Sequence, residues 1–440
     1  MTAPLLPSMS DSSAFPPSLW AATAIAKPDC PPLEGDADCD VAIVGAGFTG
    51  LTAALSAAEA GASVIVLEAG EPGWGASGRN GGQVNAGLKI APYEIEAKFG
   101  REASAKIIAF ASTTTDVVWQ LIEKHKINCD GDKAGLLFCV AKKAHMEDQR
   151  KVTSDWAARG APVRWADEEE TAHLTGATGY LGAMVDMRCG TVQPLSYARG
   201  LADAAMKAGA RICGQTKVTS LKRENDRFAV STAKGVVSAK KVILATNGYS
   251  GFHASGLSPA LDRSIIPISS FIVATEPLSD NLRKSILPEG HCTADTRRFL
   301  YYTRFDKEGR LVFGGRGLLR EPKSADDFAH LQAGIAKVYP QVRDVPISYC
   351  WSGRLALTMD KIPHLHEPEP GLMMGLGYNG RGVAAASALG TALGEYAATG
   401  NRDVLPLSST DIPTIAFHGM REPFMAAGFA WHRAMDALGL

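Results

Sequence analysis

The sequence predicts an α/β chain in which a Rossmann-type dinucleotide-binding domain is discontinuous and a second sheet comes between its pieces. Three observations carry this. A strand–glycine turn–helix–strand–acid unit runs from Asp40 to Glu68. Strand and glycine pieces of the same kind recur at 190–248 and 350–400. Between them, Ile265–Thr275 and Phe299–Gly315 read as strands of a different sheet.

The first unit begins with Val41 to Val44, a short continuous apolar run of the kind that forms a strand covered on both faces. Gly45, Gly47 and Gly50 follow at G-x-G-x-x-G spacing. The first permits a tight turn, the second lets a pyrophosphate approach the backbone, and the third lets the helix pack close to the strand. Leu51, Ala54, Leu55 and Ala58 then share one helical face, and Gly61 ends the helix. Ser63 to Leu67 is a second buried strand closing on Glu68, 18 residues past Gly50. A carboxylate there accepts both hydroxyls of an adenosine ribose and repels a 2′-phosphate, which argues against NADP. Glycine-rich turns also occur for structural reasons, but here strand, turn, helix and acid stand in order.

Composition narrows the class. The 440 residues are 46% hydrophobic with 45 glycines, as expected of an α/β protein of two or three domains. A formal charge of −1 and the lack of a dense Lys/Arg run argue against nucleic acid or an anionic membrane surface as partner. No apolar run reaches the ~18 residues of a membrane span, since Val383–Ala398 is broken by Gly390, Gly394 and Glu395. The first 37 residues lack a basic start followed by an apolar core, so a secretory signal is not expected. The eight cysteines form no C-x-x-C and no zinc spacing, which reads as reduced thiols in a cytoplasmic protein without a metal.

Further along, residues 1–37 read as an irregular arm anchored by Trp20. Ala69 to Lys89 is a loop with seven glycines, long enough inside a compact domain to suggest function. Its glycines, with Ser77, Arg79, Asn80 and Gln83, suit a backbone wrapped around an extended ligand. Pro92 to about Lys126 reads as helical, Gly135–Ala141 as a strand, and Ala144–Gly160 as a charged helix. Pro194 opens another helix that Gly209 stops. A hairpin, Phe228–Thr232 with Val236–Ala239, leads into a strand ending at Thr246, Asn247 and Gly248, small enough for a second backbone approach to a nucleotide. Gly371–Gly400 repeats strand, glycine turn and helix, and a helix starting near Arg381 would aim its positive end at the turn. An NAD dehydrogenase normally keeps its Rossmann half contiguous, so the interruptions favour FAD.

The motifs SLWAATA at Ser18, GAGFTG at Gly45, GASGRNGGQ at Gly75–Gln83, GTVQP at Gly190, LATNGYS at Leu244, WSGRLALTMDKIP at Trp351–Pro363 and GYNGRG at Gly377–Gly382 span nearly the whole chain. On them the chain resembles the FAD-dependent D-amino-acid-oxidase superfamily of glycine and sarcosine oxidases, and within it the γ-glutamylputrescine oxidase branch and its L-pipecolate oxidase neighbours. The resemblance implies a flavin domain of 38–92, 189–256 and 349–402. It also implies a substrate domain of 93–188 and 257–348, built on a large, mainly antiparallel sheet with helices. The arm is then 1–37 and the tail 403–440, where Phe424, Phe429, Trp431 and Met435 pack within the chain or on a second copy.

By the same resemblance, the turn of Gly45, Ala46, Gly47, Phe48, Thr49 and Gly50 holds the FAD pyrophosphate, and Glu68 with Ala69 the ribose. Gly75, Ala76, Ser77, Arg79, Asn80, Gly81, Gly82 and Gln83 line the pyrophosphate and ribityl chain, and Val218 contacts adenine. Gly377, Tyr378, Asn379, Gly380, Arg381 and Gly382 lie beside the pyrimidine end of the flavin. The implied chemistry is hydride transfer from a carbon bearing a neutral amine to flavin N5, imine hydrolysis, and reduction of O2 to hydrogen peroxide. Tyr301 and Tyr302 match a pocket region, and strand alternation turns only one of them inward. Arg304 and Arg354 are candidate carboxylate clamps, each equally readable as a structural ion pair. Leu355 stands where relatives place a clamping arginine or a flavin-linked cysteine, so noncovalent FAD is expected, with Cys350 the nearest thiol. The strand Leu311–Phe313 lacks the lysine that relatives use to speed reaction with oxygen. Two alternatives stay open: an amine or imino-acid dehydrogenase serving a quinone or carrier, and a flavin-binding subunit without turnover.

Overall fold

The computed structural model describes residues 15–251, 254, 256–318 and 320–420, with 423 and 428. The tail positions Phe424, Phe429, Trp431 and Met435 lie outside the described residues. Two eight-stranded sheets dominate the fold. In the first, Ala37–Val44 is central and pairs in parallel with Val64–Leu67 on one side and Val236–Leu244 on the other. Arg211–Cys213 extends one edge in parallel beside Val64–Leu67. The far edge of Val236–Leu244 is divided. Arg227–Thr232 pairs antiparallel with its first half, and Leu372–Leu376 runs parallel to its last residues. Val218–Glu224 and His364–Glu369 complete the sheet as antiparallel outer strands. This register brings Val44, Leu67 and Leu244 to one common end, where an open parallel sheet presents its ligand crevice.

The helices Phe48–Glu59 and Gly382–Thr399 pack against each other through small residues. A Cβ on Gly390 would lie 2.2 Å from Thr52 Oγ1, and one on Gly394 2.2 Å from the Ala53 carbonyl oxygen. Only glycine allows this approach, and it brings both helix N-termini to the crevice.

The second sheet runs Ile347–Leu357, Ile266–Pro277, Arg310–Arg316, Tyr301–Phe305, Cys292–Asp295, Leu136–Cys139, Ala183–Asp186 and Val163–Ala166. Its pairs are antiparallel except Cys292–Asp295 with Leu136–Cys139, so the sheet is mixed. A core of Leu137, Phe271, Phe313, Phe328, Leu331 and Tyr339 backs it.

Several elements differ from the sequence reading. Ile347–Leu357, read as the start of the third flavin-domain segment, hydrogen-bonds along Ile266–Pro277 and belongs to the second sheet. The helical stretch from Pro92 is two helices, Pro92–Phe99 and Arg101–His125, separated at Gly100. The second of these buries Ile108, Phe110, Ala111 and Val118 in the core of the first sheet, although its segment was read with the substrate domain. The arm carries a short helix, Leu19–Thr23, capped by the Ser18 side chain, and Trp20 is buried as an anchor. No helix among the described residues is long and apolar enough to cross a membrane. The eight cysteines are free, and no cluster of metal ligands occurs among the described residues.

Candidate active site

One cavity of about 760 Å³ runs from the carboxyl end of the first sheet to the face of the second. Its inner part is the glycine turn. Gly45 has φ +103°, a conformation open to glycine, and its amide donates to the Leu67 carbonyl. Glu68 is fixed by the Ala46 and Gly70 amides at 2.7 and 2.8 Å, and burial pushes its carboxyl pKa upward. Ser77 Oγ accepts from the Phe48 amide at 2.9 Å and ties the glycine-rich loop to the start of the helix.

That loop is ordered by its own polar side chains. Asn80 donates to the Ala76 and Ser77 carbonyls and accepts from the Gly82 amide. Arg79 is buried, donates to the Trp74 carbonyl and lies over the Trp74 ring. The indoles of Trp20 and Trp351 donate to the carbonyls of Asn80 and Arg79 at 2.8 and 3.0 Å. The arm and the second sheet therefore both grip this loop. Gln83 reaches across to the carbonyls of Thr293 and Thr303.

The turn at 377–382 closes the other side. Asn379 accepts from the Thr358 amide, and the Asn247 side chain accepts from the Gly377 amide. Tyr378 and Thr49 share a buried 2.6 Å hydroxyl–hydroxyl hydrogen bond, linking this turn to the first one. Arg381 is the N-cap residue of Gly382–Thr399 and donates to the Ala86 carbonyl. It lines the cavity and holds the loop.

Most of the expected cofactor positions line this cavity, including Glu68, Ser77, Val218, Asn247, Gly248 and Arg381. Ala46, Gly50, Gly82 and Gly377 stand behind the lining and shape it through their backbones. The fit to FAD can be judged from the cradle itself. Gly380 has nothing within 4 Å of an added Cβ, whereas one on Gly47 would lie 2.9 Å from Ser77 Oγ. Backbone is thus bared at both turns, with an acid at one end and a helix N-terminus at the other. The donor set fits the dinucleotide: Gly45–Thr49 and Ser77 would hold pyrophosphate, Glu68 ribose, and the 378–382 turn the isoalloxazine.

On the second sheet, Tyr302 faces the cavity and its hydroxyl is 3.0 Å from Ser270 Oγ. Burial pushes its pKa well up, so the phenol stays protonated. Tyr301 points the other way, packing on Phe313 at 4.9 Å between ring centroids. Arg304 is not a clamp. It is buried and donates to the Gly82, Val192 and Phe305 carbonyls, outside the cavity lining. Arg354 does line the cavity, and it forms a 2.7 Å ion pair with Glu321. Cys350 lies outside the lining and packs on the second core. Leu311 and Phe313 are also buried in that core, so their strand reaches the cavity only at Gly315 and Arg316. Sequence reasoning did not single out Lys89, Lys217, Tyr249, Ser270, Arg298 or Arg316, all of which line the cavity. Lys89 lay at the end of a loop already marked, and Tyr249 within the LATNGYS motif.

Comparison with known proteins agrees with this arrangement. A family model described as FAD dependent oxidoreductase (DAO) matches residues 40–396. The chain is 33% identical over 425 residues to a protein of Rhizobium meliloti (strain 1021) named probable oxidoreductase OrdL, covering 95% of this chain and 97% of that one. It is 31% identical over 430 residues to gamma-glutamylputrescine oxidoreductase of Escherichia coli (strain K12), covering 96% and 99%. The glycine oxidase structure from Geobacillus kaustophilus superposes with a TM-score of 0.70 at 22% identity, over 85% of this chain and 99% of that one. L-proline dehydrogenase from P. horikoshii gives 0.67 at 19%, over 87% and 96%, so the fold is shared across different enzymes. With the family model covering both glycine turns and the second sheet between them, the chain belongs to the DAO family of FAD-dependent oxidoreductases.

Proposed function

We propose that this protein oxidises the C–N bond of an amine of the γ-glutamylputrescine type, holding FAD noncovalently and passing its electrons to O2 in the cytoplasm. The observation that carries the reading is the meeting of Tyr302 with the 378–382 turn across one cavity. Likeness to the E. coli oxidoreductase along almost the full chain supports the substrate class. Bound FAD supplies the hydride acceptor.

The chain's own residues supply position and field. The N-terminus of Gly382–Thr399 and Arg381 put positive charge at the 378–382 turn, where it would favour the negative charge of a reduced flavin held there. Ser270 fixes the Tyr302 hydroxyl, which remains a donor and orients the substrate rather than removing a proton. Noncovalent attachment is supported by Leu355 in the lining and Cys350 outside it.

The test is anaerobic. The yellow protein is mixed with γ-glutamylputrescine, pipecolate, proline, sarcosine, glycine and D-amino acids while its flavin absorbance is followed. Bleaching by γ-glutamylputrescine and recovery on admitting air are expected, with hydrogen peroxide released. Bleaching that only a quinone or carrier reverses would replace the oxidase with a dehydrogenase. A yellow protein that none of these amines bleaches would overturn the reading.

A further inference from the structure

Oxidation of an amine needs its nitrogen neutral, because the lone pair drives the loss of hydride from the adjacent carbon. An alkylammonium ordinarily keeps its proton up to about pH 10. The cavity therefore needs a group that takes one proton as the substrate enters, and few lining residues can do so. Among the described residues no histidine, aspartate or cysteine lines it. Glu68 is fixed by the Ala46 and Gly70 amides at the dinucleotide end. Lys217 belongs to the same end, since the amide of Thr216 just before it donates to the Glu68 carbonyl. Tyr302 and Tyr378 are held protonated by burial, and Tyr249 packs on Trp74 beside the glycine-rich loop. The arginines keep their protons. Lys89 remains.

The backbone around Lys89 is pinned. The Ala86 carbonyl accepts from Arg381, the Gly87 amide donates to the Ala111 carbonyl, and Leu88 and Ile90 pack into the core of the first sheet. With both neighbours turned to the core, the Lys89 side chain projects the other way. It is solvent-accessible although protein surrounds it, so the solvent it meets is that of the cavity. It makes no hydrogen bond or ion pair among the described residues.

The charges that face it are mostly positive. Arg381 of the 378–382 turn and Lys361 of the loop after Ile347–Leu357 lie within electrostatic reach, as does Asp295 at the end of Cys292–Asp295. Asp295 is already bonded to Arg297 and to the Tyr301 amide. Arg298, three residues further on, lines the same cavity. Burial, with repulsion from Arg381 and Lys361 added and Asp295 opposing, draws the Lys89 pKa down to about 8. The same surroundings act on an ammonium brought in beside it. Two nitrogens then compete for one proton on similar terms.

We infer that Lys89 is the proton acceptor of the reaction, its neutral Nζ taking one proton from the substrate ammonium. One N–H bond of the substrate breaks and one Nζ–H bond forms. The lone pair left on the substrate nitrogen can then expel the hydride toward bound FAD, and Lys89 returns its proton to water once the imine has left. This rests on the amine-oxidation reading above and deepens it.

The test uses the FAD-loaded full-length protein and two readouts. The first is anaerobic flavin reduction between pH 6.5 and 10, by whichever amine of the panel above bleaches the wild type fastest, in wild type, Lys89→Met and Lys89→Arg. General-base catalysis is worth roughly 100-fold or more, so both variants should be slower by that factor at pH 7.5. The wild-type rate constant at low substrate should rise through about pH 8 and level off, whereas both variants should keep climbing toward the amine's own pKa. Lys89→Arg is the discriminating variant. It keeps the positive charge but has no lone pair to offer, so it should be as slow as Lys89→Met, and the flavin content and Tm of all three should agree. The second readout needs no turnover: trace acetylation of wild-type lysines by acetic anhydride across the same pH range, resolved by peptide mass. Lys89 should reach half its maximal reactivity near pH 8, about two pH units below exposed lysines.

A Lys89→Arg protein as fast as wild type at pH 7.5 would assign Lys89 to charge alone and overturn the proton transfer. So would wild-type rates in Lys89→Met, or a Lys89 that acetylates only with the exposed lysines. If no amine reduces the wild type at any pH, the amine-oxidation reading falls and the proton transfer with it; loss of the transfer alone shows as wild-type reduction that the variants share.

Discussion

Gly50→Ala is expected to remove FAD from the purified protein. A Cβ at this position would lie 1.9 Å from the Gly45 carbonyl oxygen and 3.3 Å from Ile43 Cγ2. The first contact is with backbone, so rotation of a side chain cannot relieve it. The helix must instead move away from a turn that Gly45 already holds at φ +103°. Overpacking of this kind costs about 1–3 kcal/mol or more, and it falls on the amides that would meet the pyrophosphate.

A companion variant separates cofactor loss from general damage. A Cβ on Gly47 would meet Ser77 Oγ at 2.9 Å, the movable end of a side chain, while occupying the surface where a pyrophosphate approaches. Gly47→Ala should therefore keep the Tm of the FAD-free protein while FAD affinity falls by an order of magnitude or more, about 1.4 kcal/mol for each factor of ten. Gly50→Ala should lower both. The ratio of flavin to protein absorbance and thermal unfolding with and without added FAD measure this. A Gly50→Ala protein as yellow and as stable as wild type would remove the glycine turn from the cofactor site.

The Asp40–Glu68 unit was legible because each part has a local sequence signature: a buried-strand run, glycines at fixed spacing, a helical face and an acid at a set distance. The 377–382 turn was legible for the same reason. Strand pairing left no such trace. Ile347–Leu357 precedes flavin-domain strands in the chain and was read with them, yet its hydrogen bonds go to Ile266–Pro277. Alternation correctly separated Tyr301 from Tyr302 but could not say how far the cavity extends along the strand. Arg304 shares the face of Tyr302, and two residues further on that face has passed from the cavity to beneath Gly82 and Val192. Lys89, Arg298 and Arg316 come from three separate segments, and tertiary structure alone brings them together.

Arg304→Met should therefore act on stability and not on substrate affinity. The buried guanidinium donates to three backbone carbonyls, at 3.1 Å from Gly82, 2.6 Å from Val192 and 2.9 Å from Phe305, and lies 5.4 Å from the Trp20 ring centroid. Gly82 lies within the glycine-rich loop and Val192 in the segment hydrogen-bonded to it, and Trp20 is itself bonded to Asn80 of the same loop. Methionine fills much of the volume but donates nothing, so the buried Val192 carbonyl loses its 2.6 Å donor while the Gly82 carbonyl keeps only the Val192 amide. Leaving a buried acceptor without its donor costs about 1–3 kcal/mol, a substantial part of a typical domain's margin. Arg304→Lys should recover only a fraction, since a single ammonium cannot serve both as the Nη1 that reaches Gly82 and Val192 and as the Nε that reaches Phe305. Urea unfolding of the FAD-loaded protein should show a clearly lower midpoint for Arg304→Met and an intermediate one for Arg304→Lys. The surviving folded, FAD-loaded protein should be reduced by its amine substrate with the wild-type concentration dependence. Wild-type stability with weakened substrate affinity would instead return Arg304 to the role of a clamp, and the Val192 carbonyl would have to find another donor.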